Sequence, residues 1–593
     1  MLTNFRFLLA RLHTDSLLDK RTPKEVKSTL ANLPKGLAAL DHAYSEAVHR
    51  IEGQLSGDSD LARMVLSFIT YAERPLTVAE LCSALAVESG TSELDPENIP
   101  DADDLVSVCA GIVVIDEESS IIRLVHYTTQ EYFERIGKRW MPRAQADIAS
   151  ACITYLSFSA FKSGGSPTDE DFEQRMRDHN FLGYAAKHWG RHVSTVQDEL
   201  CELACAFLLD QGLVMSAAQT PNIRAAGSKK LRFRGYSQRY NKKVTGLHLT
   251  CQFGLHIIAQ SLIERLGDGS IKALDARNTK GQSPLHIAAS NGHVKVAKLL
   301  LEKASDTQRI ESELSEPKGS YVHGKDGSKW TALMCAAVRG HTEVAKLLIE
   351  NGALDGDTPA SRGVTPLYLA ADAGHLQMLQ LLVAHGVTPV LPDECGESAL
   401  AKAAYNGIHV ALERLLSLPG TDVHTRDLYG RSLLWWAASG GFTLTFELLL
   451  FKYHVRPEVA DNFGRTPLAI AWMKRYYHVV NTLSTTSPDL AKTVGLGDRS
   501  SFVGTVFSGS ADAKFVVTCD VCQINVTEHF HCWTCSEGDF DVCVTCHGKG
   551  ARCLNPRHGM VRRVARDGEW IEVGDSMRQD GVKRIACRSN SMP

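Results

Sequence analysis

No apolar run in the 593-residue chain approaches the roughly 18 residues of a membrane-spanning helix. The stretch Phe7-Leu8-Leu9-Ala10, bracketed by Arg6 and Arg11, is too short for the apolar core of a secretory signal. Charge of one sign is also missing. The 64 basic and 68 acidic residues leave a formal charge of −4, so no global attraction to nucleic acid or anionic lipid is expected. There is no G-x4-G-K-[ST], no H-E-x-x-H and no G-x-S-x-G, which removes the sequence signals of a nucleotide cradle, a zinc protease and a nucleophile elbow. Hydrophobic residues at 44% and charged residues at 22% exclude a largely disordered or collagen-like chain. The expectation is an intracellular protein of the cytoplasm or nucleus, not an enzyme and not bound to a membrane. Its length allows about four domains.

Cysteine is unevenly distributed. Of 16 cysteines, seven lie between Cys519 and Cys553. A secreted protein would spread its disulfide pairs, whereas one dense cluster in a reduced chain points to metal binding.

The middle of the chain repeats. Similar segments begin at Thr245, Ser283, Thr331, Thr365, Ser398, Ser432 and Thr466, spaced 38, 48, 34, 33, 34 and 34 residues apart. A Thr/Ser-Pro start supplies an N-cap and a first-turn residue. Ala-Ala pairs such as Ala288-Ala289 and Ala370-Ala371 let a first helix pack closely on its neighbour. Nine residues after each of the first six starts comes a glycine, from Gly254 to Gly441, suited to ending that helix. An aliphatic stripe such as Val294, Val296, Ala297, Leu299, Leu300 and Leu301 then marks a second helix. These residues resemble ankyrin repeats, about seven of them over 244–485. The resemblance implies a concave surface for protein partners. The seventh copy carries Arg475 in place of glycine, as a capping repeat can. An insertion near 305–325 reads as a surface loop. Trp435-Trp436, in place of the usual His and its neighbour, either fill the core or anchor a partner.

The cysteine cluster reads Cys519-x2-Cys522, Cys532-x2-Cys535 and Cys543-x2-Cys546, followed by Cys553 and His558. Each C-x2-C pair can hold half of a tetrahedral site, and the last two donors bring the set to eight, enough for two Zn2+ ions. A module this small needs the metal to fold. The spacing resembles a cross-braced ZZ-type zinc finger over 519–560. That resemblance implies one site of Cys519, Cys522, Cys543 and Cys546, and another of Cys532, Cys535, Cys553 and His558. It also implies recognition of a peptide by Asp520, Asp539 and Asp541. Arg552 stands about where the family has its first terminal His, so Cys553 takes that ligand role, with His547 as competitor.

Residues 1–140 carry three capping boxes: Thr22-x-x-Glu25, opening a helix to about Ile51, Thr77-x-x-Glu80 and Thr128-x-x-Glu131. A short helix near Asp104–Val108 precedes two apolar runs, 112–115 and 121–125, that read as a hairpin. The chain is therefore expected to be mainly α, with a winged-helix-like N-terminal region, an ankyrin solenoid and a small zinc finger. Glu93, Asp95, Glu97, Asp101, Asp103 and Asp104 would repel phosphate, so nucleic acid is not expected as a partner.

Segments including Val106–Gly111, Leu124–Tyr127 and Tyr184–Gly190 resemble fungal NACHT–ankyrin proteins of the STAND signalling class, here without their nucleotide-binding domain. Residues 141–243 read as helical and end in a basic stretch, 229–243, with seven Lys or Arg and no acid. It is either a solvated linker or a nuclear-import or nucleic-acid segment. Residues 486–518 read as a linker and 561–593 as a partly disordered tail. The function expected is a non-catalytic interaction scaffold or adaptor, or alternatively a nuclear transcription co-regulator or a truncated STAND-type receptor.

Overall fold

The computed structural model describes residues 22–31, 37–220, 235–311, 321–353, 360, 363–387, 392–393, 396–418 and 420–486, and beyond them seven short strand segments between 517 and 584. The described chain is mainly helical and divides into two compact units, residues 1–316 and 317–593.

Unit one opens with helices α1 (Pro23–Ala31), α2 (Leu37–Glu52) and α3 (Ser56–Tyr71). The Thr22–Glu25 box is present. Where a single helix to Ile51 is expected, α1 ends at Ala31 and α2 begins at Leu37, and residues 32–36, which include Pro34, lie outside the described residues. Strand β1 (Leu76–Thr77) leads into α4 (Val78–Leu85), whose capping box is complete: Glu80 N donates to Thr77 Oγ1 at 3.2 Å and Thr77 N donates to Glu80 at 2.9 Å.

Helix α5 (Ala102–Val108) precedes the hairpin of β2 (Val113–Asp116) and β3 (Ile121–Leu124). β1 pairs with β3, giving a three-stranded antiparallel wing in the order β1-β3-β2. Helix α6 (Tyr127–Trp140) starts one residue before the expected Thr128, because His126 caps it: Thr128 N donates to the His126 ring. The Thr128 hydroxyl bonds Tyr44 of α2 at 2.7 Å, which ties the helices of the module together. Asp95 and Asp101 each accept a backbone N–H at the start of a helical turn, so two acids of the acidic loop cap helices.

Helices α7 (Ala144–Leu156), α8 (Asp169–Asp178), α9 (Leu182–Ser194), α10 (Gln197–Leu209) and α11 (Gln211–Gln219) follow. Two helical pairs complete unit one: α12 (Gly246–Phe253) with α13 (His256–Leu266), and, after the short α14 (Ser270–Leu274), α15 (Pro284–Asn291) with α16 (Val294–Glu311). First helices pack on first helices, α9 on α12 and α12 on α15. Second helices do the same, α10 on α13 and α13 on α16. The α9–α10 pair thus stands as an additional layer before the repeat that begins at Thr245. Helix α16 runs through Glu311, so the start of the insertion extends a helix and is not loop.

Unit two holds five helical pairs: α17 (Ala332–Arg339) with α18 (Thr342–Glu350), α19 (Pro366–Ala373) with α20 (Leu376–Ala384), α21 (Ala399–Tyr405) with α22 (His409–Leu416), α23 (Leu433–Gly440) with α24 (Thr443–Glu447), and α25 (Pro467–Met473) with α26 (Tyr477–Thr486). Each first helix opens on the expected hydroxyl, which accepts the N–H three residues on: Thr331, Thr365, Ser398, Ser432 and Thr466. Neighbouring repeats are also stitched at their inter-helix turns. The His375 ring donates to Val338 O, Asn406 to Asp372 O, and His478 to Gly441 O.

Beyond the repeats, β4 (Val517–Thr518) pairs with β5 (Asn525–Val526). A second, antiparallel sheet has the order β10-β9-β8-β6-β7, from β6 (Glu528–Cys532), β7 (Phe540–Cys543), β8 (Val561–Arg566), β9 (Glu569–Val573) and β10 (Lys583–Arg584). Three of these strands fall within 561–593, the stretch read as a partly disordered tail. The register joins Arg566 to Glu569 across Asp567-Gly568, a strong hairpin dipeptide between β-forming runs.

Candidate functional site

A cavity of about 440 Å³ opens within unit one, where the α9–α10 layer meets the first repeat. Its floor is apolar: Ala186 and Trp189 from α9, Ala217 from α11, Leu249 and Phe253 from α12, and Ile287 from α15. Gly190 permits this approach. A Cβ there would lie 2.2 Å from the Phe253 ring. Trp189 stacks edge-on between Phe207 and Phe253. It is 0% exposed, and its indole N–H has no hydrogen-bond partner among the described residues.

One wall is the segment Arg239 to Val244, the second half of the basic stretch. It is not a free linker. Thr279 N donates to Lys242 O at 2.9 Å, Gln211 donates to Val244 O at 2.7 Å, and Gly235 N and Ser237 N donate to Asp169. The Tyr240 hydroxyl rests against Gly165, where a Cβ would come within 2.3 Å. Residues 229–234 of the stretch lie outside the described residues. The opposite rim is the turn Asn278–Lys280, held by Asn278 Oδ1, which accepts the N–H groups of Lys280 and Gln282.

His248 also lines the cavity but is committed to structure. Its Nδ1 faces Thr245 at 2.8 Å and its Nε2 reaches Gln282 O at 3.0 Å. Burial pushes its pKa down to about 4, so it is a neutral cap and not a base. The lining residues include Arg239 and Lys280 but no Asp or Glu.

In unit two, Trp435 and Trp436 fill the core. Both are buried, and Trp436 donates to Asp427 at 3.2 Å. Neither is an exposed anchor. Exposed apolar groups stand instead at the inter-helix turns of the last three repeats: Val410, Phe442, Leu444 and Tyr477. Leu444 is 64% exposed. Val410 and Leu444 are 34 residues apart, the repeat length, and so occupy equivalent places on adjacent repeats. The repeat signature does not mark this ridge, because it is carried by buried positions.

Of the proposed metal and peptide ligands, Cys532, Cys543 and Asp541 lie in strands. Cys532 pairs with Phe540, Asp541 with His531 and Cys543 with His529, placing the two cysteines at opposite ends of a four-rung ladder. Cys519, Asp520, Cys522, Cys535, Asp539, Cys546, Cys553 and His558 lie outside the described residues.

Comparison with known proteins now places the chain. The model for ankyrin repeats in three copies matches residues 182–311, 313–393 and 400–493, just over half of the chain. The protein belongs to the ankyrin-repeat family. The match begins at α9, so it includes the layer that precedes Thr245. A winged-helix model, described from GPI inositol-deacylase, matches residues 51–139. The chain is 24% identical over 309 residues to the azaphilone pigments biosynthesis cluster protein L of Monascus ruber. That alignment covers 48% of this chain and 63% of the relative. Among the described residues, no single helix is long and apolar enough to cross a membrane.

Proposed function

We propose that the protein is a non-catalytic scaffold or adaptor that binds protein partners through its repeats. The observation that carries this reading is the ridge of Val410, Phe442, Leu444 and Tyr477, exposed on three successive repeats. Val410 and Leu444 recur at equivalent positions, with Phe442 and Tyr477 within two residues of that position in the repeat, and exposed apolar groups repeated along a solenoid suit a docking surface. The non-catalytic part is supported by the cysteines of the helical units. Burial pushes the thiols of Cys109 and Cys335 up to about 12 and raises that of Cys152, so they stay protonated. Leu444→Asp and Tyr477→Asp in the full chain test the scaffold role by quantitative co-purification. Loss of specific partners with unchanged melting supports it. An identical partner set argues against it.

The second element of the proposal is the C-terminal module: a ZZ-type finger holding two Zn2+ ions on the eight donors named above, with Asp520, Asp539 and Asp541 receiving a peptide. A set of seven thiolates and one imidazole suits tetrahedral zinc. The ladder that keeps Cys532 and Cys543 at opposite ends agrees with their assignment to different ions. Zinc there would contribute folding energy and fixed geometry. Two linked modules would gain avidity for a partner that engages both. A second reading, a co-regulator in the nucleus, draws on the basic stretch 229–243, with seven Lys or Arg and no acid. The winged helix followed by ankyrin repeats equally suits a STAND-type receptor without its NTPase domain. Imaging the tagged chain with and without residues 229–243 separates a nuclear from a cytoplasmic role.

A further inference from the structure

We propose that the cavity between the α9–α10 layer and the first repeat is a binding site for a small organic anion with a flat apolar body. It is distinct from the partner ridge of unit two and does not depend on it. Three observations converge. The volume of about 440 Å³ lies within the roughly 300–1,000 Å³ of small-molecule sites. The floor of Trp189, Phe253, Leu249 and Ile287 offers an apolar, partly aromatic surface, to which an aromatic ring is well matched.

The polar groups give the ligand's charge. Arg239 and Lys280 line the cavity with no carboxylate among the lining residues, so the local potential favours an anion. Neutral polar groups, Asn241, Asn278 and Gln252, complete the lining and suit a carboxylate or sulfonate head better than a bare hydrocarbon. His248 is held neutral by its own hydrogen bonds and takes no part in ionic recognition.

The test is calorimetric titration of the full chain with 2-naphthoate and, separately, with its neutral analogue 2-naphthamide at low salt. We expect one-site binding of naphthoate, tighter than the amide by about two- to fivefold, as a single exposed charge contact gives. Lys280→Gln changes an exposed residue and should bring the two ligands to near parity. No saturation by millimolar naphthoate, equal affinity for the amide, or wild-type preference in Lys280→Gln would each overturn the assignment. Because Lys280 is exposed, its replacement tests the contact without disturbing the core.

Discussion

The guanidinium of Arg431 lies 4.2 Å from the ring centroid of Trp436, fully buried between two carboxylates. Arg431 pairs with Asp427, four residues earlier, and with Glu397 of the preceding repeat at 3.1 Å. Glu397 in turn pairs with Lys402 at 2.9 Å. Burial alone would raise the Glu397 pKa, but Lys402 and Arg431 hold it below the usual carboxylate value. The network crosses a repeat boundary, so it fixes how two repeats stack. Removing one partner of such a set leaves uncompensated buried charge. Arg431→Leu should cost about 3–5 kcal/mol in denaturant unfolding of the repeats. A cost below about 1 kcal/mol would mean that water reaches Asp427 and Glu397.

Arg475 occupies the place that glycine holds in the other repeats, and it keeps the same backbone, with φ at 63°. Gly374, its counterpart in the fourth repeat, has φ of 82°. The left-handed conformation costs a residue with a Cβ about 1–2 kcal/mol. Arg475→Gly should therefore stabilise the last repeat by about 0.5–1 kcal/mol, after the extra chain entropy of glycine is subtracted. Gly374→Val should do the reverse and cost at least about 1 kcal/mol. Its Cβ would meet only Ile408, at 3.6 Å, so the backbone and not a clash is responsible. Chemical denaturation of both variants checks the pair.

Acid should weaken unit one. His192 is buried in a chain of hydrogen bonds: Glu73 N donates to the Tyr184 hydroxyl, which lies 2.7 Å from His192 Nε2, and His192 Nδ1 lies 2.8 Å from Gln145 Oε1. Burial disfavours the charged ring and pushes its pKa from 6.5 to about 4, as it does for His248. Both folded values lie below the unfolded value. Between these limits the unfolded chain binds more protons, so stability is present above about pH 6.5 and is lost as pH falls toward about 4. Each ring should contribute on the order of 2 kcal/mol to that loss. Unfolding curves at pH 7 and pH 5 measure it, and His192→Gln should flatten the dependence.

The repeats were legible because their signals are local. A hydroxyl N-cap, an Ala pair and a left-handed glycine each report one short-range requirement, and they recur at a fixed period. The Thr77–Glu80 box and the 113–124 hairpin were legible for the same reason. The α9–α10 layer was not, since Phe181-Leu182 starts a helix without a hydroxyl cap and its Ala185-Ala186 pair carries no repeat signature alone. Only packing on α12 shows its role. The cavity was hidden for a related reason: its walls come from residues 186 to 287 and meet only in three dimensions. The strands at 561–573 carried a signal in Asp567-Gly568 that was outweighed by the charge of their surroundings.

The proposed finger gives the sharpest stoichiometric expectation. Eight donors in two tetrahedral sets should hold about two zinc ions per chain, measured by elemental analysis of the purified full-length protein after dialysis against metal-free buffer. In the proposed arrangement Cys519, Cys522, Cys543 and Cys546 would form the first set, so Cys522→Ala should leave about one ion bound while the second set survives. The second set ends on Cys553 and His558. If Cys553 is a ligand, Cys553→Ala should lower the zinc content toward one, and Cys553→His, which restores a donor, should recover it. If Cys553→Ala still holds two ions, His547 replaces it as the ligand. Chelation should release thiolates that then react with a thiol reagent in proportion to the metal lost, because zinc-bound sulfur is held deprotonated but shielded. A chain that carries about one zinc before any substitution would rule out the two-site arrangement.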